Sequence, residues 1–343
     1  MRIRGVIAAA VAATLLVSGG ADRAVAASHD ALHVFGDSLS DPGNLFALTG
    51  AAGPCPVFTC PLPPSPPYFA GRTSNGPVWA DYVAADFAAR GLPVGNYAFA
   101  YGRVISPGGT PDPAEPATVL PINLEHQIGR FIAETGGTVG PRAVAILWAG
   151  ANDALNIVGQ TAGAIAGGAD PAAASAAAVA AAQGVAAALG EAAQILRATG
   201  LRNLVVMNLP ELGQTPLFAG NPGGQALASL VAGAFNAALA LQPFEGLNVT
   251  RLDIAALFAD LVANPAAYGV SSLDACFDPA DPAAGFCPDP NDRAFFDMLH
   301  PSAPIHARIA AEVRAVVAPV PLPAAGWLLM AALGGIALHR RRG

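Results

Sequence analysis

Five short apolar segments alternate along this chain with stretches of helical composition, and this alternation restricts the fold more than any other feature. The segments are apolar on both faces, which is typical of parallel strands buried between two layers of helices. The candidate strands cover residues 31–35, 94–99, 143–150, 204–210 and 248–254. The helix candidates include residues 171–199, 224–241, 254–263 and 301–317. The sequence therefore predicts an α/β fold with a mainly parallel sheet.

The N-terminal residues 1–27 have the pattern of a secretory signal peptide. Arg2 and Arg4 precede an apolar stretch, and the small residues AVAA follow it, so we expect cleavage after Ala26 or Ala27. The apolar stretch is too short to span a membrane comfortably. We therefore expect this chain to be exported.

The C-terminal residues 319–343 combine a Pro-rich lead, an apolar run over 324–338 and three arginines at 340–342. The run is shorter than the ~20 apolar residues of an ordinary span, and the arginines would stay in the cytoplasm. This tail resembles the VPLPA variant of the PEP-CTERM sorting signals. The resemblance implies a transient membrane association, then removal of the tail by sorting machinery. The mature product would be secreted or held at the cell surface or extracellular matrix. Residues 28–318 remain as one folded domain.

The four cysteines fall into two local pairs, Cys55 with Cys60 and Cys276 with Cys287. In an exported chain, this spacing predicts two small disulfide loops. A zinc site is the alternative, but neither pair has C-x-x-C spacing or a nearby histidine. The surrounding segments are rich in proline and glycine, which predicts loops. These loops cover residues 53–67 and most of 274–294.

The net charge restricts the classes of partner. At pH 7 the formal net charge is −7, so no basic patch is available to neutralise the phosphates of a nucleic acid. We therefore expect no nucleic-acid partner, and the sequence indicates no metal and no cofactor.

The segment LHVFGDSLSDPGN over 32–44 contains the first candidate for chemistry, Ser38. An apolar run ends at Gly36, and Asp41 with Pro42 has the pattern of a helix start. One interpretation is a simple strand-to-helix turn. The other is a turn that presents Ser38 as a nucleophile, which requires a base and a group that orients the base.

The best candidate for that base is His300. The other histidines lie at the chain ends, within a candidate strand or on candidate helices: His29, His33, His126, His306 and His339. Asp297 stands three residues before His300, so its carboxylate can reach the imidazole Nδ1 from the same turn. The alternative is an aspartate that caps a helix beside a solvent-exposed histidine.

Groups that could stabilise an oxyanion also follow strand candidates. Asn152 follows the segment 143–150, and Gly102 follows the segment 94–99. The N–H groups of Ser38 and Gly102 and the side-chain amide of Asn152 are suitable donors. Ligands of open α/β sheets bind at the carboxyl edge, where these groups would meet.

Four segments in order resemble the motifs of the GDSL, or SGNH, hydrolases: FGDSLSDPGN, GRTSNGPVWADYVA, GAND and DMLHPS. The resemblance covers most of the mature chain. It implies a three-layer α/β/α sandwich with a mainly parallel five-stranded sheet and no metal. It also implies a triad of Ser38, Asp297 and His300, with Asn152 as an oxyanion donor.

The chain departs from the second block of that family, which resembles N-[YF]-A-x-G-G-A. The donor glycine stands five residues after the asparagine, and an ungapped count from Asn96 reaches Tyr101, with Gly102 one residue later. Either backbone N–H could donate. We favour Gly102, because a residue without a Cβ allows a close approach to the substrate.

The resemblance implies that the chain hydrolyses a small-molecule or lipid ester through an acyl-enzyme. An acyltransferase and a glycan O-deacetylase on the same scaffold are alternatives, and a non-catalytic surface protein is a remote one. The loop over 53–76 contains several prolines, Tyr68 and Phe69. Its composition favours an acyl chain over a sugar.

Overall fold

All five predicted strands form in the computed structural model, and they join in one parallel sheet. They are β1 (Ala31–Gly36), β2 (Val94–Asn96), β3 (Ala143–Trp148), β4 (Asn203–Met207) and β5 (Asn248–Leu252). Their order in the sheet is β2-β1-β3-β4-β5. The predicted α/β fold with a parallel five-stranded sheet is therefore confirmed.

The structure describes residues 29–51, 62–108, 112 and 115–317, and those from Asp30 to Val316 form one compact unit. Three predicted features lie outside the described residues: the signal peptide over 1–27, the Cys55–Cys60 disulfide and the sorting signal over 319–343.

Nine α-helices lie in the described part of the chain. They are α1 (Asn44–Ala51), α2 (Trp79–Ala89), α3 (Pro116–Val119), α4 (Leu124–Thr135), α5 (Ala151–Ala166), α6 (Pro171–Ala198), α7 (Pro222–Ala240), α8 (Ile254–Ala263) and α9 (Ala303–Val317). The four predicted helices all form, with ends that differ by at most two residues.

Helices cover both faces of the sheet. On one face, Phe35 of β1 and Leu147 of β3 belong to a core cluster built from α4, α5, α6 and α7. On the other face, Trp148 of β3 packs against Trp79 of α2 with ring centroids 6.3 Å apart. The Trp79 N–H in turn donates to Nδ1 of His306 in α9, at 3.3 Å. Helices, sheet and helices thus form three layers.

The long helix α6 begins at a clear cap. The Asp170 side chain accepts a hydrogen bond from the Ala173 N–H at 2.8 Å, and Pro171 takes the first helical position. By length and composition α6 and α7 are, among the described helices, the two that could cross a membrane. In this fold both contribute to the core cluster, for example through Leu189 and Phe235.

Most of the segment 274–294 is a loop, as predicted, but its two ends are not. Two short strands, β6 (Ser272–Ala275) and β7 (Arg293–Phe295), pair in parallel at its ends. Strands of three or four residues with polar side chains give no alternating pattern, so the sequence did not indicate them. Between them, the predicted Cys276–Cys287 disulfide is confirmed, with the two Cα atoms 4.7 Å apart.

The order of the strands locates the site. The chain passes from β1 to β2 on one side and then to β3 on the other, so the order reverses between β1 and β3. Gly36 and Trp148, the last residues of β1 and β3, stand side by side. Open α/β sheets bind ligands outside the carboxyl ends of the strands at such a reversal. Ser38 and Asn152 follow these two strand ends.

Candidate active site

The turn that carries Ser38 is held at the end of β1 by two hydrogen bonds between Gly36 and Gln127. The Gly36 N–H donates to Oε1 of Gln127 at 2.9 Å, and Nε2 of Gln127 donates to the Gly36 carbonyl at 2.7 Å. A Cβ at Gly36 would overlap the carbonyl oxygen of Trp148. Glycine is therefore required for β1 and β3 to end this close together.

The buried carboxylate of Asp41 joins this turn to the segment after β2. It accepts hydrogen bonds from the N–H groups of Gly43 and Leu45 at the start of α1, at 2.7 and 3.2 Å. It also accepts from the Ala100 N–H at 2.8 Å. Burial raises the pKa of Asp41 to about 6, although four backbone hydrogen bonds oppose the shift. Residues 100–102 are thereby fixed beside Ser38.

Ser38, His300 and Asp297 form one hydrogen-bond chain. Oγ of Ser38 lies 2.9 Å from Nε2 of His300, and Nδ1 of His300 lies 2.7 Å from Oδ2 of Asp297. An ionised carboxylate can only accept, so Nδ1 carries the proton and Nε2 is free to accept from the serine hydroxyl. The structure thus brings Ser38 together with Asp297 and His300, which follow it by 259 and 262 positions.

The carboxylate of Asp297 accepts further hydrogen bonds. Oδ1 accepts from the N–H groups of Leu299 and His300, at 2.8 and 2.6 Å. Oδ2 accepts from the phenol of Tyr68, at 2.6 Å, in addition to His300. Burial raises the pKa of Tyr68, and the charge of Asp297 raises it further by a smaller amount. The phenol therefore stays protonated and donates. Nothing in the sequence around Tyr68 indicates that it is a partner of Asp297.

The electrostatics of the pair favour an ionised carboxylate. Burial alone would raise the pKa of Asp297, but the charge of His300 and the hydrogen bonds outweigh it, so the pKa lies below its usual value. Burial alone would likewise lower the pKa of His300, but the charge and hydrogen bond of Asp297 raise it above its usual value. Each group therefore stabilises the charged form of the other.

The backbone after β2 differs from the expectation that favoured Gly102. The Gly102 N–H donates to the Phe99 carbonyl at 3.0 Å, which closes a turn. A Cβ at Gly102 would lie 2.8 Å from the Ile122 carbonyl oxygen and 2.9 Å from that of Phe99. Glycine is needed here for packing, and its N–H already has the Phe99 carbonyl as a partner.

Tyr101 occupies the left-handed region of the backbone, with φ of 64°. Such a φ is uncommon for a residue other than glycine. Neither the Tyr101 N–H nor the Ser38 N–H makes a hydrogen bond within the described part of the chain. Asn152, in the first turn of α5, donates through Nδ2 to the Gly102 carbonyl at 2.9 Å. Its second amide hydrogen remains available.

A polar cavity of about 520 Å³ adjoins these groups. Its walls include Tyr101, Asn152, Arg103, Glu115 and Gln160. Arg103 and Glu115 form an ion pair at 2.9 Å across one wall.

Two further buried carboxylates surround the site. Asp153 accepts from the N–H groups of Val104 and Ile105 at 2.8 and 3.0 Å, and burial raises its pKa to about 6. Asp37 accepts from the Leu39 N–H at 3.1 Å, and burial raises its pKa to about 7. Within the residues that the structure describes, no group of three or more His, Cys, Asp or Glu side chains is arranged to hold a metal ion.

Known proteins resemble this chain over most of its length. The sequence profile described as GDSL-like Lipase/Acylhydrolase matches residues 32–313. A phosphatidylcholine-sterol acyltransferase of Aeromonas hydrophila is 28% identical over 255 residues, covering 71% of this chain and 64% of that protein. Esterase EstA of Pseudomonas aeruginosa is 31% identical over 323 residues, covering 88% of this chain and 49% of that protein. An acetylesterase of Thermothelomyces thermophilus is 27% identical, covering 88% of this chain and 94% of that protein.

Proposed function

Because this chain belongs to the GDSL-like lipase/acylhydrolase family, we propose that it hydrolyses carboxylic esters through an acyl-enzyme on Ser38. The observation that carries the proposal is the unbroken hydrogen-bond chain from Ser38 through His300 to Asp297. A serine hydroxyl is a competent nucleophile when a base takes its proton and a third group fixes the tautomer of that base.

Each step follows from this chain of hydrogen bonds. Oγ of Ser38 attacks the ester carbonyl carbon while Nε2 of His300 takes the hydroxyl proton, and Asp297 stabilises the imidazolium. The bond from the carbonyl carbon to the alcohol oxygen then breaks, and His300 returns its proton to that oxygen. Water, deprotonated by His300, attacks the acyl-enzyme and releases the acid and Ser38.

The oxyanion is stabilised by the Ser38 N–H, the Tyr101 N–H and Nδ2 of Asn152. The left-handed backbone of Tyr101 and its lack of a hydrogen-bond partner in the described residues support its role. The Gly102 N–H is already bonded to Phe99. Tyr101 therefore replaces Gly102, which the sequence analysis favoured, as the second backbone donor.

Two related activities use the same acyl-enzyme. An acyltransferase would use an alcohol in place of water, as the name of the Aeromonas relative indicates for that protein. A glycan O-deacetylase would remove acetyl groups, and the polar cavity beside Asn152 is compatible with a hydroxylated ligand. A non-catalytic surface protein would have no need of the Ser38–His300–Asp297 chain, which argues against that alternative.

We also propose that the protein works outside the cytoplasm. The Cys276–Cys287 disulfide supports an oxidising compartment. The signal pattern over 1–27 supports export, and the tail over 319–343 supports a transient membrane association before a sorting machinery removes it. The negative net charge supports the expectation of no nucleic-acid partner.

The proposal is tested with a panel of nitrophenyl esters. Wild-type protein should release nitrophenol from at least one ester, and Ser38→Ala should lose this activity. A second variant, Ser40→Ala, is a matched control two residues away and should retain it. Release by Ser38→Ala at the wild-type rate would exclude Ser38 as the nucleophile.

A further inference from the structure

A second cavity, the aromatic groove, lies between two loops and has a volume of about 970 Å³. Of its thirteen lining residues, six are aromatic and four are proline, and none is charged. Its size is that of a small-molecule site, and its walls favour an uncharged apolar ligand. The groove is not the polar cavity that Tyr101 and Asn152 line.

One wall of the aromatic groove is a stack of three rings. Phe277 and Phe286 stack with centroids 4.7 Å apart, and Phe286 and Phe296 stack with centroids 6.4 Å apart. The Cys276–Cys287 disulfide holds the loop that carries Phe277 and Phe286. The wall is therefore preorganised, which lowers the entropic cost of binding.

The rim of the groove exposes apolar surface. Phe69 from one loop is 44% exposed and Phe286 from the other is 52% exposed. Two partly exposed aromatic rings that line an apolar groove form a surface that a ligand can cover.

The aromatic groove is joined to the hydrogen-bond chain at the end that carries Asp297. The ring of Tyr68 lines the groove, and its phenol donates to Oδ2 of Asp297. Phe296, also in the wall, precedes Asp297 and donates its N–H to the His300 carbonyl at 2.8 Å. The polar cavity, by contrast, adjoins the oxyanion donor Asn152. The aromatic groove thus adjoins the Asp297–His300 part of the hydrogen-bond chain, whereas the polar cavity adjoins the oxyanion donor.

We propose that the aromatic groove binds the alcohol portion of the ester, and that the substrates are esters of apolar alcohols. The inference rests on the proposed function, because it uses the role of His300 as the acid that protonates the leaving alcohol. The alcohol oxygen must lie beside Nε2 of His300 when the ester bond breaks. Its apolar part then extends toward Tyr68 and the stacked rings, while the acyl group lies toward the polar cavity. Tyr68 and Phe69, which the composition of their loop led us to expect beside an acyl chain, would instead contact the alcohol.

The test compares two acetates whose alcohols differ in apolar size, phenethyl acetate and ethyl acetate. Wild type should have the higher kcat/KM for phenethyl acetate. Phe286→Ala removes one aromatic ring from the groove wall and should lower the phenethyl-to-ethyl ratio roughly tenfold. Leu241→Ala, an exposed apolar residue outside the groove, is the matched control and should leave the ratio unchanged. Phe69→Ala, at the opposite rim, should lower the ratio in the same direction.

A second pair of esters, which differ in the apolar size of the acyl group, distinguishes the two ends of the ester. The ratio of ethyl hydrocinnamate to ethyl acetate should be the same in Phe286→Ala and wild type. A fall in this ratio, or an unchanged phenethyl-to-ethyl ratio, would overturn the assignment of the groove to the alcohol.

Binding to Ser38→Ala separates this inference from the proposed function. Calorimetry should detect phenethyl alcohol on Ser38→Ala and a roughly tenfold weaker affinity on Ser38→Ala combined with Phe286→Ala. Equal affinities would overturn the groove assignment even where Ser38 is the nucleophile. Hydrolysis by Ser38→Ala at the wild-type rate would instead show that Ser38 is not the nucleophile. The conclusion from the binding measurement would not change.

Discussion

Tyr68 and His300 form hydrogen bonds to the same oxygen, Oδ2 of Asp297, at 2.6 and 2.7 Å. The phenol is 229 residues away in sequence and comes from the Pro-rich loop before α2. The phenol therefore stabilises part of the Asp297 carboxylate charge, which would otherwise interact with the imidazole of His300 alone at that oxygen. Tyr68 is a positioning residue in this account, because it acts on His300 only through Asp297.

Replacing Tyr68 with phenylalanine should change the pH profile. Without the phenol, Oδ2 of Asp297 attracts the His300 proton more strongly, so the pKa of His300 rises and the acid limb of kcat/KM moves to higher pH. The free energy of unfolding should also fall by about 1.5–3 kcal/mol, the range for a hydrogen bond to a charged group. The measurement is the kcat/KM profile on a nitrophenyl ester together with urea unfolding.

Tyr268→Phe is the matched control for that experiment. Its phenol also donates to an aspartate, Asp260, at 2.8 Å, but on the surface. This variant should leave the acid limb in place. If the acid limb of kcat/KM in Tyr68→Phe also stays at the wild-type pH, the phenol does not affect the pKa of His300.

Glycine at position 101 should be tolerated, whereas alanine at position 102 should not. Tyr101→Gly keeps the left-handed backbone and the N–H, so kcat on a small ester should stay within about threefold of wild type. Gly102→Ala places a Cβ against the Ile122 and Phe99 carbonyls, so its Tm should fall. Thermal unfolding and kcat are measured on both variants. A loss of about 10²–10³ in kcat for Gly102→Ala, without a change in Tm, would restore Gly102 as the oxyanion donor.

Asp297→Asn should reduce kcat by about 10⁴, the loss found for the equivalent change in the serine protease triad. The amide no longer fixes the imidazole with its proton on Nδ1. Removal of the Asp297 charge also lowers the pKa of His300, so the residual activity should persist to lower pH than in wild type. The profile of kcat/KM against pH measures this shift. An acid limb at the wild-type position would show that another group sets the pKa of His300.

His33→Leu should remove an acid-dependent loss of stability. His33 is buried in β1, and burial lowers its pKa from 6.5 to about 4. Between these values the unfolded chain binds a proton that the folded chain does not, so the free energy of unfolding falls as the pH decreases from 6.5 to 4. At a pH of about 5 this loss is about 2 kcal/mol.

Neither ring nitrogen of His33 has a hydrogen-bond partner in the described structure, so leucine breaks no hydrogen bond. Buried Asp37, Asp41 and Asp153 have raised pKa values and produce the opposite pH dependence. The difference between wild type and His33→Leu isolates the histidine. Urea unfolding at pH values of about 5 and about 7.5 should show a smaller decrease for the variant. Equal decreases would contradict the low pKa of His33.

The fold could be predicted where one physical signal was strong. Strands such as Ala143–Trp148 are apolar on both faces and buried throughout, so their composition alone indicates a sheet between helices. Helix α8 forms with the predicted bounds, and in the structure the Asp253 side chain caps its start and Asn264 follows its end. The short strands β6 and β7 form because they pair with each other, and no local sequence pattern indicates this pairing.

The candidate site could be predicted only where its residues follow strand ends or share one turn. Asp297 and His300 are three residues apart, and Ser38 and Asn152 follow β1 and β3. Tyr68 and Gln127 reach the site from distant segments, and nothing in their local sequence indicates a partner. The choice of Gly102 rested on the freedom of glycine, whereas tertiary contacts hold Tyr101 in the conformation that glycine usually adopts.

The central claim is that Ser38 is a covalent nucleophile activated by His300, and labelling with a fluorophosphonate tests it most directly. Intact-mass analysis of wild type should find one adduct, and peptide mapping should locate it on Ser38. Ser38→Ala should gain no adduct, and His300→Ala should react far more slowly, because the hydroxyl loses its base. An adduct on another residue, or labelling of Ser38→Ala at the wild-type rate, would contradict the account.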